Sequence, residues 1–192
     1  MKALILLATL KKGGQSNTQL LSEFFSGFMQ KQGAETEIIK LVDYNILPGT
    51  YSNMGEGDQW PEILEKIMDA DILIFATPIW WGGHSSQMQM VFERLDELHD
   101  EILQGKESRL MGKAGGVIVT GDSDGSQHII ASIANFYNAL GINLPAFASL
   151  TVLWEGLAKS ESRSREEIMN KFEKDYTPTA QKMAKQLAGA VK

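Results

Sequence analysis

The stretch "DILIFATPIWWGG", residues 71–83, joins an apolar run to a loop of two tryptophans and two glycines. A continuous apolar run of strand length, with no polar alternation, is expected where helices cover both faces of a sheet. Ile72–Ala76 therefore reads as a buried strand. The loop that leaves it is of a different kind. Trp80 and Trp81 are large and stiff, whereas Gly82 and Gly83 let backbone approach closely. Such a loop can lay flat rings and exposed amides around a ligand.

Outward from this strand the same alternation repeats. Ala3–Ala8 is another apolar run, followed by "TLKKGGQSN" and a helical pattern at Leu20, Leu21, Phe24, Phe25 and Phe28, with Gly33 suited to its end. "TEIIKLV" reads as the second strand, and 43–60 as a long irregular loop. Pro61 suits the first turn of a helix running to about Met68. After the opening stretch a helix is expected through about His99, then a polar connection. "AGGVIVT" is the fourth strand, the helix of Ile129–Leu140 follows, and "FASLTVLW" is the fifth strand. The last helix starts at a capping box of Ser164 and Glu167, and Pro178 is expected to kink or split it.

Five β-α repeats imply an α/β fold: a parallel five-stranded sheet with helices on both faces, three layers in one domain over residues 1–192. Ligands bind such sheets beyond the carboxyl ends of the strands, near the point where strand order reverses. The loops leaving strands one, three and four (9–17, 77–83 and 120–127) lie on that edge.

Composition bounds the function. The chain has 192 residues, a net charge of −6 and no cysteine. That charge argues against a broad nucleic-acid footprint. The lack of cysteine excludes disulfides, thiolate metal sites, iron–sulfur clusters and a cysteine nucleophile. The apolar run at 3–8 is short for a leader, and no segment has transmembrane length. A cytoplasmic protein without membrane contact is the expectation.

The first loop lacks both the G-x-x-x-x-G-K-[ST] and the G-x-G-x-x-G spacing. It offers Thr9, Ser16, Asn17 and Thr18 around Gly13 and Gly14 at the start of a helix, with charge from Lys11 and Lys12. Hydroxyls and backbone N–H groups at a helix N-terminus make a phosphate site without metal. Ser16 or Asn17 also suits a plain helix cap, and the two roles are compatible. In the second loop, Pro78, Ile79, Trp80, Trp81 and Gly82 can line a flat heterocycle. The plainer reading puts one tryptophan in the core or over a helix and the other on a subunit interface. In the third loop, Thr120, Gly121, Asp122, Asp124, Gly125 and Ser126 can approach a ring edge or simply form turns. His128 reads as solvent-facing. Asp96, His99 and Asp100 read as a solvated helix face, Glu155 as a surface carboxylate, and "KESR" at 106–109 as a basic loop with a possible contact to a 2′-phosphate.

These loops together resemble the NADPH-dependent FMN reductase family, whose members have the flavodoxin-like fold. The resemblance runs from about Ala3 to about Trp154 and rests on Ser16-Asn17-Thr18, on Pro78-Ile79-Trp80-Trp81-Gly82, and on Thr120-Gly121-Asp122 through Gly125. It implies that the first loop holds the phosphate of FMN and that the other two hold its ring. It further implies two-electron transfer from NADPH or NADH to a small acceptor (quinone, azo compound, flavin or metal) and a homodimer or homotetramer. No catalytic side chain and no metal ligand is implied. An electron carrier with protein partners, or a cofactor-free interaction protein, would use the same fold.

Overall fold

A computed structural model describes residues 1–155 and 163–191. The strands are β1 (Lys2–Leu7), β2 (Glu35–Lys40), β3 (Ile72–Pro78), β4 (Ala114–Gly121) and β5 (Ser149–Leu153). The helices are α1 (Asn17–Lys31), α2 (Trp60–Asp69), α3 (Ser86–Arg94), α4 (Asp96–Leu103), α5 (Ser126–Ala139) and α6 (Arg165–Ala190). All strand pairs are parallel, in the order β2-β1-β3-β4-β5. The expected five-stranded sheet is thus present, and its order reverses between β1 and β3.

Two apolar layers fill the space above and below the sheet. On one face α1 and α6 bring Leu21, Phe25, Phe172 and Met183 against Ile5, Ile74 and Ile118. On the other, α2 to α5 bring Ile63, Val91, Ile133 and Tyr137 against Leu6, Phe75 and Val119. Strict alternation of these side chains along each strand explains why β1, β3 and β4 are apolar throughout. The glycine pair in β4 has a packing cause. A Cβ on Gly115 would lie 2.6 Å from the Tyr137 ring, and one on Gly116 would meet Met183, Ile74 and Leu187. Tyr137 fills the space left by Gly115, and its hydroxyl lies 2.9 Å from the Gly116 carbonyl and 3.0 Å from that of Leu73. That burial holds the phenol well above its usual pKa.

Two expectations are corrected. The helix expected through His99 is interrupted at Leu95, between α3 and α4. There the Glu97 N–H donates to Thr50 O at 3.2 Å, instead of continuing the helical ladder. The Glu97 carboxylate in turn accepts from the Ser52 N–H at 2.5 Å. Pro178, for its part, does not split α6, which is continuous across it. The residues that follow it, Ala180, Met183, Ala184 and Leu187, are fully buried, so packing outweighs the lost backbone donor. The capping box at Ser164 and Glu167 is present.

The long 43–60 loop is ordered around one ion pair. Arg94 donates to Asp58 Oδ2 at 2.6 Å, to Leu47 O at 2.5 Å and to Tyr51 O at 3.0 Å. Both side chains are fully buried. Asp58 also accepts from the N–H groups of Met54, Leu47 and Trp60. Burial alone would raise its pKa, but the guanidinium and these N–H groups outweigh burial and bring it down to about 2.

Candidate functional site

The three loops meet at the carboxyl edge of the sheet, tied by contacts between residues far apart in the chain. Thr18 Oγ1 and Thr120 Oγ1 share a buried hydrogen bond of 2.6 Å, which joins the start of α1 to the end of β4. Ser85 Oγ donates to Ala8 O at 2.6 Å and accepts from the Met88 N–H, so it caps α3 and ties it to the end of β1. The Ile79 N–H donates to Thr120 O at 2.9 Å, and Pro78 stands opposite Thr120 in the ladder. Thr77, Pro78, Thr120 and Gly121 are therefore strand ends, and the free loops are shorter than their expected bounds.

Within the first loop the hydroxyls divide their work. Ser16 Oγ donates its proton to Thr9 Oγ1 at 2.9 Å and accepts from the Gln19 N–H at 3.3 Å. Its donor is spent on Thr9, so Ser16 acts here as the helix cap. Thr9 accepts from Ser16 and from the Lys11 N–H at 3.3 Å, which leaves its own proton to give. Lys11 Nζ donates to Gln15 O at 3.1 Å. Gly13 and Gly14 face open space where a Cβ would stand, and Gly14 is left-handed at φ +73°. The loop from Leu10 to Ser16 leads into the N-terminus of α1 with open space beside Gly13 and Gly14, and the backbone N–H groups of a helix start suit an anion such as phosphate.

The second loop is a tight hairpin. Trp80 and Gly83 exchange both backbone hydrogen bonds, at 2.8 and 2.9 Å. The two residues between them are left-handed, Trp81 at φ +49° and Gly82 at φ +75°. This is the pattern of a type I′ turn, which favours asparagine or glycine at both positions. Neither tryptophan is core: Trp81 is fully exposed and Trp80 is 51% exposed. The plainer alternative, with one of them in the core, does not hold. A bulky residue in the left-handed region costs about 1–2 kcal/mol. Trp81→Gly removes that strain, offset by the freer unfolded chain, and is expected to raise stability by about 0.5–1 kcal/mol in urea denaturation.

The third loop closes against the second by backbone alone. A Cβ on Gly125, at φ +130°, would fall 2.6 Å from Gly82 O and 2.7 Å from Gly82 Cα. Gly121 lies equally close to Ile79, whose Cδ1 would be 2.7 Å from its Cβ. Asp122 and Asp124 are exposed, as is His128. Glu155 is exposed just past β5. His99 and Asp96 line a groove of about 210 Å³ with Phe92 and Phe136, between α3–α4 and α5. Arg109 of "KESR" lies 3.9 Å from Glu101 and lines a groove of about 590 Å³ beside α2. It belongs to that groove and not to the three-loop corner.

A further part of the corner lies just past β5. The Trp154 N–H donates to Gly121 O at 3.0 Å, which places this tryptophan beside the end of β4. The Arg163 guanidinium lies 4.3 Å from its ring centroid, and Gln15 of the first loop donates to Arg163 O at 3.3 Å. The sequence also marks the region 154–165 as one that could shape the pocket or a subunit contact, and of it 156–162 lie outside the described residues.

A parallel sheet of this order, with a helix start after the β1 loop and two further loops meeting beside it, is the flavodoxin-like fold. The chain belongs to the NADPH-dependent FMN reductase family, whose model matches residues 1–150. It is 33% identical over 168 residues to the 8-demethyl-8-aminoriboflavin-5′-phosphate synthase of Streptomyces davaonensis, covering 82% of this chain and 65% of the synthase. Another curated relative, 33% identical over 150 residues, is covered over 22% of its length, so the chain spans under two thirds of these relatives. A crystal structure of RosB with bound 8-demethyl-8-formylriboflavin-5′-phosphate superposes with a TM-score of 0.80 at 26% identity, covering 100% of this chain and 79% of that one. A flavodoxin from Streptococcus pneumoniae TIGR4 has a TM-score of 0.62 at 17% identity over 100% of both chains, a likeness of fold alone. No helix among the described residues is long and apolar enough to cross a membrane.

Proposed function

We propose that the three-loop corner binds FMN and that the protein transfers two electrons from NAD(P)H to a small acceptor. The observation that carries this reading is the pair of ties that bring the loops together: the Thr18–Thr120 hydrogen bond and the backbone contact of Gly125 with Gly82. In this reading Thr9, Lys11, Asn17 and Thr18, with the backbone of the first loop, hold the phosphate, and Ser16 keeps the helix N-terminus in place. Pro78, Ile79, Trp80, Trp81 and Gly82 run along the ring. Thr120, Gly121, Asp122 and Gly125 meet its edge. The flavin, when bound, supplies the two-electron chemistry. The residues bind it, orient it and leave room for a donor and an acceptor, and no side chain is required as acid or base.

The test is anaerobic addition of NADPH, and separately NADH, to the FMN-loaded protein. Bleaching of the visible band by either nucleotide, with return of colour on adding a quinone, is the expected result. A retained flavin that neither nucleotide bleaches would instead indicate a carrier reduced by a protein partner. The likeness to RosB favours a second reading, in which the flavin phosphate is substrate rather than cofactor. Mass spectrometry of the released flavin after turnover separates the two. An unchanged FMN mass supports the cofactor reading, and a changed one the substrate reading.

A further inference from the structure

Trp154 carries two cations on one ring. Arg163 Cζ lies 4.3 Å from its centroid and Lys171 Nζ 4.8 Å. The two are not equivalent. Lys171 is neutralised by Asp175 at 2.7 Å. Among the described residues no carboxylate lies within ion-pair distance of Arg163. Nearby cations are engaged by the first loop itself: Lys11 Nζ donates to Gln15 O and Lys40 Nζ to Lys12 O. Arg163 is joined to that loop through its backbone carbonyl, which accepts from the Gln15 side chain. Arg163 is an exposed residue, and the ring it lies against is fixed beside the end of β4.

This geometry suits an oxyanion. An aromatic ring engages an arginine without consuming its five N–H donors, which stay available as a planar fork. That fork matches phosphate oxygens bidentately. Holding the side chain on Trp154 also reduces the entropy lost when it binds. We propose that Arg163, laid on Trp154, receives a phosphate monoester of a cofactor serving this corner. Two such groups exist on the molecules involved: the 2′-phosphate that separates NADPH from NADH, and the 5′-phosphate that separates FMN from riboflavin. The proposal rests on the flavin reading above and adds a specific cationic contact to it.

The experiment compares Arg163→Gln with wild type on four ligands. Dissociation constants for FMN and riboflavin come from flavin fluorescence, and apparent constants for NADPH and NADH from the saturation of anaerobic flavin reduction. Loss of a charge-assisted contact weakens the phosphorylated ligand about tenfold or more. If NADPH weakens and NADH does not, the site reads the 2′-phosphate. If FMN weakens and riboflavin does not, it reads the 5′-phosphate. Arg163→Lys is expected to restore part of either loss, since it returns the charge without the fork. Equal change with and without the phosphate, or no change in any of the four, overturns the proposal. Wild type that binds FMN no better than riboflavin and is not bleached by either nucleotide sinks the flavin reading itself.

Discussion

Arg94→Met is expected to destabilise the protein by about 3–5 kcal/mol, the usual cost of removing one partner from a buried ion pair. Asp58 would keep its backbone donors but lose the cation, and its carboxylate has no water to turn to. The carbonyls of Leu47 and Tyr51 would lose their donors at the same time. The 43–60 loop, held by these bonds, by the Glu97 N–H on Thr50 O and by the Ser52 N–H on the Glu97 carboxylate, should loosen first. Urea denaturation measures the loss, and hydrogen exchange locates it. The wild-type pH dependence follows from the same pair. The folded pKa of Asp58, about 2, lies below its unfolded value of about 3.9. Its contribution is therefore complete above the unfolded value and is lost as pH falls through about 4 toward 2. In Arg94→Met this part of the acid limb should flatten. A variant as stable as wild type, with the same acid limb, would show that the pair contributes nothing.

Gly125→Ala is expected to lower FMN affinity at least about tenfold while leaving the fold intact. The added methyl would lie 2.6 Å from a backbone oxygen, and backbone cannot swing aside as a side chain can. The left-handed φ of +130° adds strain of its own. The third loop must then move away from the hairpin, and the corner opens. The core layers lie beneath both loops, so circular dichroism should stay native. Gly105→Ala, outside the three loops, is the control: its Cβ meets open space, and only the strain of φ +85° remains. Flavin fluorescence titration compares the two variants. Equal affinities for Gly125→Ala and wild type would mean that the contact between the loops does not shape the site.

What the sequence could reveal depended on distance along the chain. Ile72–Ala76 and Ala3–Ala8 were legible as strands because double-sided burial leaves a continuous apolar run, a local signal. The meeting of the three loops was legible because parallel topology sends every strand end to one edge. The Arg94–Asp58 pair was not, since 36 positions separate its members and no periodicity links them. The break at Leu95 has the same origin, because the acceptor that draws away the Glu97 N–H lies in the 43–60 loop. Pro178 does not split α6 because a local rule gave way to the helix's buried face. The exposure of Trp81 follows from a two-residue turn whose glycine stands second, a position that alone does not reveal which way the first residue points. Trp154 and Arg163 meet across a gap in which no motif falls, and only the structure brings them together.

In the proposed function the loop after β1, at the start of α1, holds the phosphate of a flavin. The ratio of dissociation constants for riboflavin and FMN on the wild-type protein tests this. Backbone N–H groups at a helix start should favour FMN by about a hundredfold or more. Equal affinity for the two, or failure to bind either, would show that this loop holds no flavin phosphate.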